Sequence, residues 1–145
     1  MRVGAVILIL ISWATGCRQT EPSVTPDSLY QRWRLVRVQY TNSDQAIDIQ
    51  TADWAITEFR LNGTIIYGAN GLYTACCSPN RFKRVGAKLD LVNVGSIPIP
   101  ETDNLNSCAT VSCVSPGDAW QILLLTPESL VIKTGYGINT YQLYP

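Results

Sequence analysis

Beyond residue 31 the chain is written in short runs of β-branched and aromatic residues, each cut off by a turn signal. No stretch repeats its apolar residues at helical spacing. That punctuation limits the fold more than any other feature, because runs of this length and period build strands. The runs fall at 32–40, 54–61, 64–67, 81–85, 88–94, 120–126, 130–134 and 138–144. Asn62-Gly63 sits between two of them, the strongest short hairpin signal a sequence carries. Gly86-Ala87, Pro127-Glu128 and Gly135-Tyr136-Gly137 mark further turns. Leu89 and Leu91 alternate with Lys88 and Asp90, so one face of that run points inward. The expectation is an all-β fold: a small up-and-down antiparallel β-barrel of about eight strands, with a sandwich as the other arrangement of the same elements.

Two segments break the pattern. Residues 41–53 are polar and read as a long loop with at most one short helical turn. Residues 95–119 form a longer loop rich in Ser, Thr, Asn, Pro and Cys. Loops of that length in a compact domain are usually functional or disordered. The cysteines argue for tying. Of the five in the chain, Cys76, Cys77, Cys108 and Cys113 form an even set once Cys17 is set aside. Neighbours on an extended chain point to opposite sides, so Cys76 and Cys77 reach different partners rather than each other. Disulfides to Cys108 and Cys113 are expected, with the individual pairing open. Cys-Cys followed by Cys-x4-Cys fits neither a zinc spacing nor Cys-x-x-Cys, so no metal is expected there.

The first residues have a separate logic. Arg2 precedes an apolar run over residues 3–11, and small residues follow up to Gly16. Charged start, short apolar centre and small-residue end make an export signal, and the run is too short for a bilayer span of about 20 residues. Ala14-Thr15-Gly16-Cys17 resembles the lipobox of bacterial lipoproteins. The resemblance implies cleavage before Cys17 and lipidation of its sulfur and new amino group. With Arg18 next, it further implies a lipid anchor in the outer membrane of a bacterial cell envelope. Residues 1–16 are then a signal peptide, 17–27 a lipidated cysteine with a polar tether, and 28–145 one folded domain.

Little else in the chain points to reaction chemistry. Eleven basic residues balance eleven acidic ones, which leaves no field to draw nucleic acid. Arg32, Arg34 and Arg37, like Arg81, Lys83 and Arg84, read as solvated strand faces. There is no histidine, which removes Ser-His-Asp and Cys-His arrangements and most catalytic zinc sites. No nucleophile elbow, P-loop or dinucleotide glycine pattern occurs. Asp44, Asp48, Asp53 and Glu58 lie mostly on the polar loop and read as solvated carboxylates. The chain is therefore expected to be a non-enzyme without cofactor, and a monomer. The aromatic residues Trp33, Trp54, Phe59, Tyr67, Trp120 and Tyr141 all fall in predicted strands. They either fill a barrel core or line a cavity for a small apolar ligand.

Three segments resemble the lipocalin-like domains of small bacterial lipoproteins. Leu29 to Leu35 resembles their opening Leu-x-Gly-x-Trp-x-Leu strand, with Gln31 in place of Gly. Phe59-Arg60-Leu61-Asn62-Gly63-Thr64 resembles their Phe-x-x-Asp/Asn-Gly-Thr hairpin. Trp120-Gln121-Ile122 with Leu130-Val131-Ile132, then Thr140-Tyr141-Gln142-Leu143, resemble their closing strands. META-type domains, also small β-rich modules of exported proteins, are the nearest alternative. The resemblance implies an up-and-down barrel without shared catalytic residues. Function is then expected to be binding of a small apolar ligand or an envelope partner. The alternative is a structural or interaction lipoprotein with a filled core.

Overall fold

The structure, a computed structural model, describes residues 27–43, 45–72, 75–91, 112 and 117–145. The expected signal peptide, Cys17, most of the tether, Asp44, and Cys108 and Cys113 with nearly all of the 95–119 loop lie outside the described residues.

Among the described residues there are nine strands: β1 Arg32–Tyr40, β2 Ala46–Asp48, β3 Ile56–Phe59, β4 Ile65–Tyr67, β5 Lys83–Val85, β6 Lys88–Asp90, β7 Ala119–Leu125, β8 Ser129–Lys133 and β9 Gly137–Leu143. All pair antiparallel in one sheet of order β4-β3-β1-β9-β8-β7-β6-β5, with β2 beside β1. Apart from β2, every neighbour in space is a neighbour in sequence, except that the first strand pairs with the last. This is up-and-down order curled toward a barrel. The two end strands meet at one bridge, Thr64 to Arg81. Beside it the Ile65 amide donates to the Asn80 carbonyl at 2.9 Å, and the Phe82 amide donates to Gly63 at 2.8 Å. These bonds supply partners for backbone groups that an open edge would leave unpaired.

The runs of β-branched and aromatic residues become strands close to where the sequence places them, and the turns do too. Gly86, with φ of +61°, makes the two-residue link between β5 and β6. The Asn62-Gly63 hairpin differs in detail. Its loop is Leu61-Asn62-Gly63, closed by the Arg60 amide donating to the Thr64 carbonyl at 2.9 Å. Gly63 takes the left-handed position, with φ of +83°, and the Asn62 side chain accepts from the Thr64 amide at 3.0 Å.

The 41–53 segment is not simply a loop. It folds back as β2, whose pairing with Arg37, Val38 and Gln39 continues the row begun by β3. The Arg37–Asp48 ion pair at 2.7 Å joins these strands across the surface. Every β2 residue is exposed, so no apolar alternation announced it. A single 3-10 turn at Asp53–Ala55 then leads into β3, and this turn carries Trp54, which the sequence reading had placed in the strand.

Two bulges set which side chains face inward. In β1 the register shifts between Leu35 and Arg37, leaving Val36 as the extra residue. The inward set is therefore Trp33 and Leu35 before the bulge and Val38 after it. In β7 the shift lies between Ile122 and Leu124. Trp120 and Ile122 face in before it, and Leu125, opposite the buried Leu130, after it. A run of four consecutive large apolar residues is thereby divided, with Leu123 and Leu124 left on the outside.

One part of the core lies where the chain leading into β1 meets β1, β3 and the entry to β5. Trp33, Leu29, Phe59 and Phe82 are essentially inaccessible to solvent. Phe59 and Phe82 meet edge to face with ring centroids 5.6 Å apart. The Trp33 indole N–H donates to the Leu29 carbonyl at 3.1 Å. Asp27 holds this entry segment by accepting from the Leu29 amide at 3.1 Å and from Arg84, whose guanidinium lies over the Tyr30 ring. That hydrogen bond to Arg84 holds the Asp27 carboxyl below its usual range.

Candidate functional site

Antiparallel order brings the end of β1, the starts of β3, β7 and β9, and the end of β4 to one end of the barrel. There they surround a cavity of about 500 Å³. Its floor is buried: Tyr67, Trp120, Tyr141 and Asn139 are each at most 8 % exposed. Its rim is not, since Trp54 and Tyr40 are 47 % and 45 % exposed. Val38, Thr57 and the turn holding Cys76 and Cys77 complete the wall on the side of β1 and β4. A volume of this size falls within the range of small-molecule sites.

The six aromatic residues singled out in the sequence therefore divide. Trp54, Tyr67, Trp120 and Tyr141 line the cavity. Trp33 and Phe59 do not; they lie in the buried cluster with Leu29 and Phe82, and Tyr67, Trp120 and Tyr141 belong to that cluster too. Of the six, Trp54 alone stands outside the buried core.

Sequence reasoning missed Asn139. In β9 the buried positions alternate as Gly137, Asn139 and Tyr141, so the asparagine faces inward while Ile138 faces out half-buried. A polar residue at an inward position of a period-two strand was the available signal. The Asn139 Nδ2 group donates to the Tyr141 hydroxyl at 3.2 Å and to the Tyr136 hydroxyl at 3.4 Å. The Oδ1 atom of Asn139 is buried and has no hydrogen-bond partner. On the opposite wall the Tyr67 hydroxyl donates to the Pro79 carbonyl at 2.5 Å.

The buried phenols carry a pH signature. Burial pushes the Tyr67 hydroxyl well above its ordinary pKa of 10.0, with a smaller contribution from repulsion by Tyr141. Burial likewise raises Tyr141, against the opposing hydrogen bond from Asn139. A phenol whose folded pKa lies above its unfolded value leaves stability untouched below the unfolded value. Above it the unfolded chain ionises and the fold does not, so stability falls as pH rises. Chemical denaturation followed from neutral pH to beyond 10.0 is expected to show a stability loss that Tyr67→Phe with Tyr141→Phe reduces. An equal loss in the double variant would contradict this.

Among the described residues the carboxylates singled out in the sequence do not gather into a site. Asp48 is exposed and paired with Arg37, while Glu58 lies on β3 with Arg60 at 2.6 Å and Arg32 at 4.0 Å. Asp53 sits in the 3-10 turn. Among the described residues no group of three or more His, Cys, Asp or Glu is placed to hold a metal ion. No helix among them is long and apolar enough to cross a membrane.

Of the cysteines, Cys76 and Cys77 occupy the half-buried turn at the cavity wall. Comparison with protein-family models, with curated proteins and with solved structures finds no match to this chain.

Proposed function

We propose that this protein is a lipid-anchored, lipocalin-like binding module of the bacterial cell envelope, and that its barrel end holds a small apolar ligand. The observation that carries the reading is the cavity of about 500 Å³ walled by Trp54, Tyr67, Trp120 and Tyr141. Aromatic faces at the rim and floor offer a ligand large apolar contact area with little side-chain entropy to lose. The domain acts by binding as a monomer rather than by catalysis, in keeping with the absence of histidine and of nucleophile motifs.

The test is titration with an apolar fluorophore, N-phenyl-naphthylamine. Its emission should rise on binding while tryptophan emission falls by transfer. Trp54→Ala should weaken binding by roughly tenfold, the effect of removing an aromatic contact worth ~1.4 kcal/mol. Because Trp54 is 47 % exposed, the substitution should leave the fold intact. Unchanged affinity in this variant would count against the cavity as the site.

The proposal includes two covalent features. The anchor is Cys17, and Cys17→Ser should abolish metabolic labelling by a fatty acid; persistent labelling would overturn the lipoprotein reading. The long 95–119 loop is stapled to the barrel through Cys76 and Cys77 by disulfides to Cys108 and Cys113. Its support is the even set of four cysteines left once Cys17 is set aside, with Cys76 and Cys77 at the half-buried turn.

A further inference from the structure

We propose that Asn139, flanked by Tyr136 and Tyr141, forms the polar end of this cavity and receives one N–H or O–H donor from a neutral, planar ligand. The inference rests on the binding-module reading and adds the chemical class of what is bound.

Three observations meet at Asn139. The first is position. An inward residue of β9 would ordinarily be apolar, as Tyr141 largely is, and as Leu130 and Ile132 are on the neighbouring β8. The second is its bonding. The carboxamide has two ends, and both tyrosine hydroxyls engage the Nδ2 end. The Oδ1 end is left buried and unpaired. A buried carbonyl without a partner has given up its water for nothing, a loss that a donor arriving with a ligand would recover. The third is charge. None of the described cavity residues is Asp, Glu, Lys or Arg. An anionic headgroup would find no cation there and would face an oxygen acceptor. A cation would find no carboxylate.

Shape supplies the rest. Trp120 and Tyr67 at the floor and Trp54 at the rim present aromatic surfaces, which favour a flat, apolar body. A hydroxylated or amino-bearing aromatic compound meets both requirements. The apolar body fills the cavity, and the single donor reaches Asn139. The tyrosines position the amide by holding its other end, as groups that orient a contact residue do.

The experiment is a calorimetric titration of the full chain with naphthol and with its methyl ether, blanked against the detergent used. The two probes differ in one hydrogen-bond donor. Naphthol should bind roughly tenfold more tightly than the ether, the fold-change that one buried hydrogen bond of ~1.4 kcal/mol gives. Asn139→Leu should abolish the preference, so that naphthol and its ether bind this variant equally. Should that variant fail to fold, the unmutated protein still decides the matter. The side-chain amide resonances of Asn139 should shift with naphthol and stay in place with the ether. Equal binding of both probes, a preference that survives Asn139→Leu, or unshifted amide resonances would overturn the assignment to Asn139 and leave the cavity reading standing. If neither probe binds, this inference falls; if N-phenyl-naphthylamine fails to bind as well, the binding-module reading falls with it.

Discussion

Gly137→Ala is expected to destabilise the protein by about 3 kcal/mol or to prevent its folding, at the upper end of what overpacking costs. Gly137 opens β9 and pairs with Tyr40 at the end of β1. A Cβ built there would lie 2.2 Å from the Gln39 carbonyl oxygen and 3.0 Å from the Tyr40 Cα. Both are backbone atoms of the adjoining strand, so no side chain can rotate away to make room. The β1–β9 ladder is the longest in the sheet, and it joins the first strand to the last. Separating the strands there would also disturb the Thr134 hydroxyl, which accepts from the Gly137 amide at 3.2 Å and donates to its carbonyl at 3.0 Å. Thermal denaturation should show a midpoint lowered by roughly 10 °C or more. A shift of only a degree or two would mean that β1 and β9 do not approach as described.

Trp33→Ala is expected to cost about 3–5 kcal/mol, the usual loss for deleting a large aromatic from a packed core. Trp33 is fully buried, and its indole N–H donates to Leu29, itself fully buried. The substitution opens a void and leaves the Leu29 carbonyl without that donor. Against a total stability of about 5–15 kcal/mol, this is enough to unfold much of the population. Trp33→Phe separates the terms. It keeps most of the volume and loses the hydrogen bond, so it should cost nearer 1–2 kcal/mol in chemical denaturation. Equal effects of the two variants would show that packing around Trp33 contributes little. Neither substitution touches the cavity lining, so ligand affinity of any folded fraction should be preserved.

These two sites illustrate what the sequence does and does not reveal. Trp33 was legible because an aromatic residue in a β-branched run with turn signals on both sides has few places to go except inward. The strands, their turns and the all-β class follow from the same local rule. Gly137 was legible only as a turn residue; the close approach of β1 that requires it depends on a pairing between the ends of the chain. The bulges at Val36 and Leu123 are similar. Each changes the inward phase of its strand by one residue, and a period-two reading carried through them puts the wrong side chains inside.

The candidate site divides along the same line. Tyr67, Trp120 and Tyr141 were identifiable from residue type and strand position. Trp54 was identified as well, but with the wrong setting, because a polar segment gives no sign that a 3-10 turn will lift it to the rim. Phe82 was missed among Arg81, Lys83 and Arg84, where a single buried ring amid charges produces no alternation. Asn139 was missed because a lone asparagine between Ile138 and Thr140 reads as an ordinary turn-flanking residue. Its spacing of two from Tyr141 was the signal that could have placed it inward, and the register of β9 against β1 and β8 fixes it there.

On the proposed function, one end of this barrel is a ligand site rather than a packed core. Native mass spectrometry of the full chain purified from cells that naturally produce it decides between the two. A non-covalent adduct is expected, small enough for a cavity of about 500 Å³, that dissociates under gentle activation and is depleted in Trp54→Ala. Protein that carries no adduct as isolated and takes up neither N-phenyl-naphthylamine nor naphthol would contradict it, and would favour a structural lipoprotein with a filled barrel.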